Sequence, residues 1–154
     1  MISRIAAVVM LVPALVAANA ERGAFLAAVG GCYRNGFEAS LVRLGIPYER
    51  LLDAEFDRAE VLRKYDLVCL SAPEGSWPDI ATALSKYVRG GGTLVIESTR
   101  GGNLASLIKV PRETQVATIP GPAGESEPVP NMRKVNIGEG SIYYGLNYSF
   151  RSMK

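Results

Sequence analysis

Five polar residues able to do chemistry follow two short apolar runs in the middle of the chain, residues 67–70 and 94–96. They are Ser71, Glu74, Glu97, Ser98 and Arg100. Unbroken apolar runs of this length are typical of strands buried on both faces of a parallel sheet. Because ligand sites in such sheets lie outside the carboxyl ends of the strands, we expect these residues to line a ligand-binding site.

Two kinds of catalysis are chemically available to these residues. Ser98 would be a nucleophile if a base removed its proton, and Glu74 with Glu97 would suit glycoside hydrolysis if the two carboxylates faced each other. The chain contains no histidine, however, and glutamates in loops are most often simply solvated. Binding without catalysis is therefore the leading interpretation, and a hydrolase using Ser98 or the two glutamates is the alternative.

The two cysteines give no indication of catalysis, metal binding or a crosslink. Cys69 lies in the first apolar run, which predicts a buried and unreactive thiol. Cys32 lies beyond the end of one predicted strand and Cys69 lies inside its neighbour, so we expect the two thiols to remain unpaired. Without histidine, a close cysteine pair or a phosphate-binding glycine motif, neither a metal nor a cofactor is expected.

Length and charge exclude some functions. The 154 residues suffice for one domain with a hydrophobic core. Lys and Arg number 17 against 15 Asp and Glu, and no basic block stands out. Nucleic acid is therefore not an expected partner.

The amino terminus has the three parts of a secretory signal peptide in the right order. Arg4 supplies a positive charge, and the following residues 5–18 are apolar throughout. The sequence Ala-Asn-Ala at residues 18–20 then fits a cleavage site with small residues at both required positions.

We therefore predict a signal peptide over residues 1–20 and a single domain over residues 21–154. This predicts a protein exported to the periplasm or the extracellular space, with no stable membrane span after cleavage. Two alternatives remain. In the first alternative, residues 5–10 form the first strand of the sheet. In the second, the chain is a lipoprotein that is attached through Cys32.

Strand and helix patterns alternate through the first hundred residues. Strand patterns occupy residues 24–29, 46–52, 67–70 and 94–96. Helix patterns begin near Asn35, Asp57 and Ser76 and end near Gly45, Lys64 and Gly90. This order predicts a three-layer α/β/α sandwich with a mainly parallel, flavodoxin-like sheet of strand order 2-1-3-4.

The last third of the chain has a different character. It predicts a short strand at residues 114–119, a proline-rich loop at 120–131 and a hairpin at 135–145. The alternating residues from Ile142 to Phe150 predict an edge strand with one apolar face. A structural module that docks a protein partner through this strand is thus a further alternative function, and stacking of a sugar on its aromatic residues is another use.

Three sequence patterns resemble the class I glutamine amidotransferase-like superfamily. They are Leu-Gly-Ile-Pro-Tyr-Glu at residues 44–49, Tyr-Asp-Leu-Val-Cys-Leu-Ser at 65–71 and Leu-Ser-Lys-Tyr-Val-Arg-Gly-Gly-Gly-Thr-Leu-Val-Ile at 84–96. Residues 24–99 look most similar to non-catalytic members such as the middle domain of some β-galactosidases. The resemblance implies an exported domain that binds a ligand or partner at the carboxyl end of its sheet, with a saccharide-like ligand if the β-galactosidase likeness extends to binding.

The chain departs from the catalytic members of that superfamily at their nucleophile. Ser98 stands where they have a cysteine, and Arg100 stands where they have the glycine of the sharp turn. Their catalytic histidine has no counterpart, because the chain contains no histidine. The resemblance therefore implies a domain without glutaminase activity.

Overall fold

The computed structural model of the chain describes residues 25–31, 35–71, 77–96, 115–120 and 126–145. The strands are β1 (Ala27–Gly31), β2 (Tyr48–Arg50), β3 (Leu67–Ser71), β4 (Thr93–Ile96), β5 (Gln115–Pro120), β6 (Ser126–Ile137) and β7 (Gly140–Gly145). The helices are α1 (Asn35–Arg43), α2 (Ala59–Leu62) and α3 (Trp77–Arg89), with a 3₁₀ turn at Asp53–Glu55. The predicted signal peptide at residues 1–20 lies outside the described residues.

Within these ranges the strands form one seven-stranded sheet in the order β2-β1-β3-β4-β7-β6-β5. The neighbouring pairs from β2 to β7 are all parallel, whereas β6 is antiparallel to both β7 and β5. The first four positions confirm the predicted order 2-1-3-4. The predicted flavodoxin-like α/β sandwich with a C-terminal hairpin is therefore correct.

Two buried clusters lie on opposite faces of the sheet, as a three-layer sandwich requires. On one face, α1 packs Phe37 and Leu41 against the strand residues Val29 and Cys69. On the other face, α2 and α3 pack against β3, β4 and β7. The members of this second cluster from α3 include Ile80, Leu84 and Val88, all at most 1% exposed.

The two longer helices, α1 and α3, both end in a left-handed glycine turn. Gly45 has a φ of 66°, and the N–H of Ile46 just beyond it donates to the carbonyl of Leu41 at 2.9 Å. Gly91 ends α3 in the same way with a φ of 101°. Glycine is favoured at both turns because it has no β-carbon to strain this backbone conformation. The predicted helix ends near Gly45 and Gly90 agree with the observed last residues, Arg43 and Arg89.

The tight turn between β6 and β7 packs against the carboxyl end of α3. The N–H of Glu139 donates to the carbonyl of Arg89 at 3.3 Å, and the N–H of Ser141 donates to the carbonyl of Gly92 at 3.2 Å. A β-carbon on Gly140 would overlap the carbonyl oxygen of Gly92. The glycines of this turn are therefore required by packing, which also holds β7 beside β4.

The edge-strand prediction for residues 142–150 is wrong over its described part, because β7 lies inside the sheet. It pairs with β4 on one side and with β6 on the other. Ile142 and Tyr143 are 0% and 5% exposed and belong to the clusters on opposite faces. A protein partner cannot add a strand to β7, since neither of its edges is free. Residues 146–150 lie outside the described residues.

The predicted proline-rich loop at residues 120–131 is partly wrong, because β6 already begins at Ser126. Its pairing with β7 reaches only Met132, and its pairing with β5 covers residues 126–128 before the register shifts. Pro128 thus lies where β6 has one neighbouring strand, and Pro130 lies in the register shift. Proline is tolerated where a strand has one unpaired side.

Candidate functional site

One of the five residues predicted to line the site lies within the described part of the structure. Ser71 ends β3 and is 2% exposed. The other four, together with Cys32, lie outside the described residues; they are Glu74, Glu97, Ser98 and Arg100.

The carboxyl edge of the sheet contains a topological switch point between β1 and β3. The two strands are adjacent and parallel, with Gly31 opposite Ser71. The helix after β1 packs on one face of the sheet, and the helix after β3 packs on the other. The two connections therefore diverge to opposite faces, and in doubly wound sheets ligands bind at a switch point of this kind.

Close packing explains the glycine pair that ends β1. Gly31 has a φ of 89°, and a β-carbon there would overlap the carbonyl of Ser71. A β-carbon on Gly30 would overlap the buried ring of Phe56. These glycines let β1 lie against its neighbours, which accounts for them without a bound phosphate.

An ion pair lies at the same edge, between the first turn of α1 and the last residue of β2. The Nε of Arg50 donates to Glu38 Oε1 at 2.6 Å, and a terminal nitrogen donates to Oε2 at 3.1 Å. Glu38 is 8% exposed, whereas the Arg50 side chain is 62% exposed. The hydrogen bond and the charge of Glu38 raise the pKa of Arg50. Arg50 therefore stays charged and has three N–H groups beyond the two that bind Glu38.

Strand register brings the ion pair and Ser71 to one face of the sheet. Arg50 and Cys69 flank Val29 on its two sides. Ser71 comes two residues after Cys69 and so faces the same way. We call Gly31, Glu38, Arg50 and Ser71 the switch-point site.

The floor beneath the switch-point site is unreactive. Cys69 is 0% exposed and is a free thiol, and burial raises its pKa above the ordinary value. A buried thiol of this kind stays protonated and is a poor nucleophile. The prediction of an inert, unpaired Cys69 is confirmed.

The described part of the switch-point site suits hydrogen bonding better than bond breaking. Its carboxylate accepts two hydrogen bonds from Arg50, at 2.6 and 3.1 Å, and a carboxylate that is bound to a guanidinium is a weaker base than a free one. Among the described residues, no three His, Cys, Asp or Glu side chains lie close enough together to hold a metal ion. The exposed guanidinium of Arg50 instead offers N–H donors to a polar ligand.

Sequence reasoning missed the pair of Glu38 and Arg50. Glu38 was recognisable only as an acidic residue in the first turn of a helix, where it complements the amide dipoles. Arg50 lies twelve residues later, on a different element. The polar triplet Tyr-Glu-Arg at the end of an otherwise apolar strand pattern, residues 48–50, was the available signal.

No helix in the described part of the chain has the length and apolar character needed to cross a membrane. No protein-family model matches the chain, and no curated protein sequence matches it significantly. The function therefore has to be argued from the site, because a fold of this kind hosts many activities.

Proposed function

We propose that this chain is an exported, non-catalytic amidotransferase-like domain that binds a small, neutral, saccharide-like ligand at the carboxyl edge of its sheet. The observation that carries the proposal is the switch point between β1 and β3, with the polar groups of Ser71, Glu38 and Arg50 around it. Sites at this position of an open α/β sheet are the usual ligand sites of the architecture.

The pairing of the described charges favours a neutral ligand. The charges of Glu38 and Arg50 cancel, and the two groups lie 2.6 Å apart. A bound anion or cation would have to compete with this pair for one of its members. A sugar hydroxyl both donates and accepts, so it can use the remaining N–H groups of Arg50 without breaking the pair.

The absence of histidine supports binding without amide or ester hydrolysis. The chain contains no histidine, and a serine hydroxyl needs a positioned base to attack a carbonyl. Ser98, which lies outside the described residues, has no base that the sequence identifies. In this proposal the bound ligand is held and released unchanged.

A saccharide panel tests the proposal. We expect at least one neutral mono- or oligosaccharide to shift the backbone amide resonances of Gly31, Arg50 and Ser71 in a saturable way. Arg50→Ala should weaken that binding about tenfold, as expected for the loss of a hydrogen bond from a charged donor. The matched control is Arg58→Ala, which removes an exposed arginine that also pairs with a glutamate. If no sugar of the panel moves these amides, the proposal is wrong.

Enzyme assays test the non-catalytic part separately. We expect no turnover of glutamine or of generic ester and amide substrates, and no difference between wild type and Ser98→Ala. Turnover that disappears in a folded Ser98→Ala variant would establish the hydrolase alternative instead.

Export is tested by the intact mass of the protein recovered from an exporting host. Cleavage after Ala20 should leave a chain that begins at Glu21, because small residues occupy both required positions of the cleavage site. A recovered chain that still begins at Met1 would contradict export by this route.

A further inference from the structure

A second polar feature lies at the opposite, amino edge of the sheet, far from the switch-point site. It is a cavity of about 200 Å³ between the segment that leads into β3 and the glycine turn that leads into β4. Its lining includes Arg63, Asp66, Lys86 and Tyr87 together with the glycines at 90–92. At about 30 Å³ per water molecule this space equals six or seven waters, so it suits a small molecule only.

Hydrogen bonds fix the shape of this amino-edge cavity. The Tyr87 hydroxyl lies 3.0 Å from the carbonyl oxygen of Tyr65 and 3.2 Å from that of Thr93, and the residue is 3% exposed. Gly92 lies so close to the Tyr87 ring that a β-carbon would overlap it. The N–H of Gly92 donates to the Tyr87 carbonyl at 3.1 Å. The wall of the cavity is thus formed before any ligand arrives.

Two separate elements bring a cation to the amino-edge cavity. Arg63 follows the last residue of α2, and Lys86 lies in the last turn of α3. Within the described residues neither cation forms an ion pair. The carboxylate of Asp66 accepts a hydrogen bond from the N–H of Leu26 at 3.0 Å. The charged groups of the lining, Arg63, Asp66 and Lys86, sum to about +1 at neutral pH, and the charge of Arg63 also acts on the exposed carboxylate of Glu60 on α2.

Favourable interaction with a helix dipole explains the position of Lys86 but not that of Arg63. Lys86 lies in the last turn of a thirteen-residue helix, where a cation is favourable. Arg63 follows a helix of only four residues, whose dipole is correspondingly small. Arg89 in the last turn of α3 bonds to Ser85 at 3.3 Å and does not line the cavity. A dipole alone does not explain why Arg63 and Lys86 line the same cavity.

We propose that the amino-edge cavity binds a small oxyanion, a molecule carrying a carboxylate or phosphate group. The guanidinium of Arg63 offers a planar fork of donors, and the ammonium of Lys86 offers a compact charge; both are the usual partners of such groups. This site is independent of the proposed saccharide site, because it lies at the other end of the strands and uses none of the same residues.

The test uses the full, isotope-labelled chain and two probes, succinate and inorganic phosphate, titrated against sodium chloride at equal ionic strength. We expect one or both probes to cause saturable shifts at the amides of Gly91, Gly92 and Thr93, with a dissociation constant on the order of 1 mM. Shifts with succinate alone or phosphate alone would identify the carboxylate or the phosphate as the recognised group. Sodium chloride should cause no saturable shift.

Charge-removing variants separate a built site from general attraction. Arg63→Gln and Lys86→Gln should each weaken probe binding about tenfold, as the loss of a charge-assisted bond implies. The matched controls are Lys64→Gln and Arg89→Gln, which remove exposed cations next to Arg63 and in the last turn of α3 without altering the lining. Equal weakening by all four variants, or the absence of any saturable shift with both probes, would overturn the proposal.

Discussion

The two edges of the sheet differ in how their charges are arranged. At the carboxyl edge Glu38 and Arg50 neutralise each other at 2.6 Å, whereas at the amino edge Arg63 and Lys86 form no ion pair within the described residues. Among the described residues, the sheet thus presents one charge-paired site and one cationic cavity. We therefore expect the two edges to bind ligands of different charge, neutral molecules at the carboxyl edge and anions at the amino edge.

Both edges contain closely packed glycines. At the carboxyl edge, a β-carbon on Gly31 would meet the backbone of Ser71. At the amino edge, a β-carbon on Gly140 would meet the backbone carbonyls of Val88 and Gly92. Backbone packing therefore fixes both edges, and the arrangement of charge is what distinguishes them.

The largest expected effect is that of Gly31→Ala. The positive φ of 89° and the overlap with Ser71 both oppose a β-carbon, so we expect the free energy of unfolding to fall by at least about 3 kcal/mol in urea denaturation. Gly36→Ala is the matched control in α1, where a β-carbon would have no neighbour within 4 Å. That change should increase stability by about 0.5–1 kcal/mol. A Gly31→Ala variant as stable as wild type would contradict the close approach of β1 and β3.

A smaller loss is expected for Tyr87→Phe at the amino edge. Removing the hydroxyl leaves the buried carbonyl of Tyr65 without a donor that now lies 3.0 Å away, so we expect a loss of about 1–2 kcal/mol in the free energy of unfolding. Tyr65→Phe serves as the comparison, because its hydroxyl donates to an exposed carboxylate, that of Glu49. Equal, small losses in the free energy of unfolding for Tyr87→Phe and Tyr65→Phe would contradict a structural role for the Tyr87 hydroxyl.

The ion pair at the carboxyl edge should contribute more than an exposed pair of the same type. Glu38 is 8% exposed and binds Arg50 through two oxygens, whereas the side chains of Arg58 and Glu60 are 57% and 69% exposed. Glu38→Gln should therefore lower the melting temperature measurably, and Glu60→Gln should leave it nearly unchanged, since exposed pairs contribute little. Equal effects would indicate that solvent screens both pairs alike.

A further effect, confined to high pH, concerns Tyr65. Burial, with the hydrogen bond to Glu49, raises its pKa from 10.0 to about 12. The folded state therefore favours the neutral phenol, and its contribution to stability is complete below pH 10 and is lost as the pH rises towards 12. Denaturation curves across this range should show a steeper loss for wild type than for Tyr65→Phe. Parallel losses would contradict the raised pKa.

The parallel half of the fold could be predicted because its signals are local. The strand β3, the helix α3 and the strand β4 each have a continuous pattern, and a strand–helix–strand crossover then fixes their neighbours. The position of β7 could not be predicted in this way, since pairing with β4 joins residues far apart in the chain. The alternating pattern identified a strand but not its place in the sheet.

Local capping signals were not always decisive. Asp57 with Glu60 suggested the start of a helix, but Arg58 is the N-cap of α2 and provides no side-chain bond. A side-chain bond of this kind lies one turn earlier, where Glu55 accepts a hydrogen bond from the N–H of Leu52 at 2.7 Å. Glu55 and Glu60 were both candidates for bonding to a backbone N–H at a helix start, and the sequence does not show which of them does so. The buried ring of Phe56 anchors the segment between them to the core.

Of the candidate site, the sequence identified the edge and Ser71 but not the ion pair. Ser71 was recognisable because it ends an apolar run. The partnership of Glu38 with Arg50 depends on the packing of α1 beside β2, which no local pattern encodes. The pairing of the Glu38 and Arg50 charges, which favours a neutral ligand, could therefore be recognised only from the structure.

One titration tests the central claim most directly: the full chain with a neutral saccharide from the panel in one arm and succinate in the other, read at the amides of both edges. The saccharide should shift Gly31, Arg50 and Ser71 in a saturable way and leave Gly91 and Thr93 unmoved, while succinate should do the reverse. The claim that the carboxyl edge binds a neutral ligand would be contradicted if no saccharide moved its amides, or if the saccharide acted at the amino edge instead.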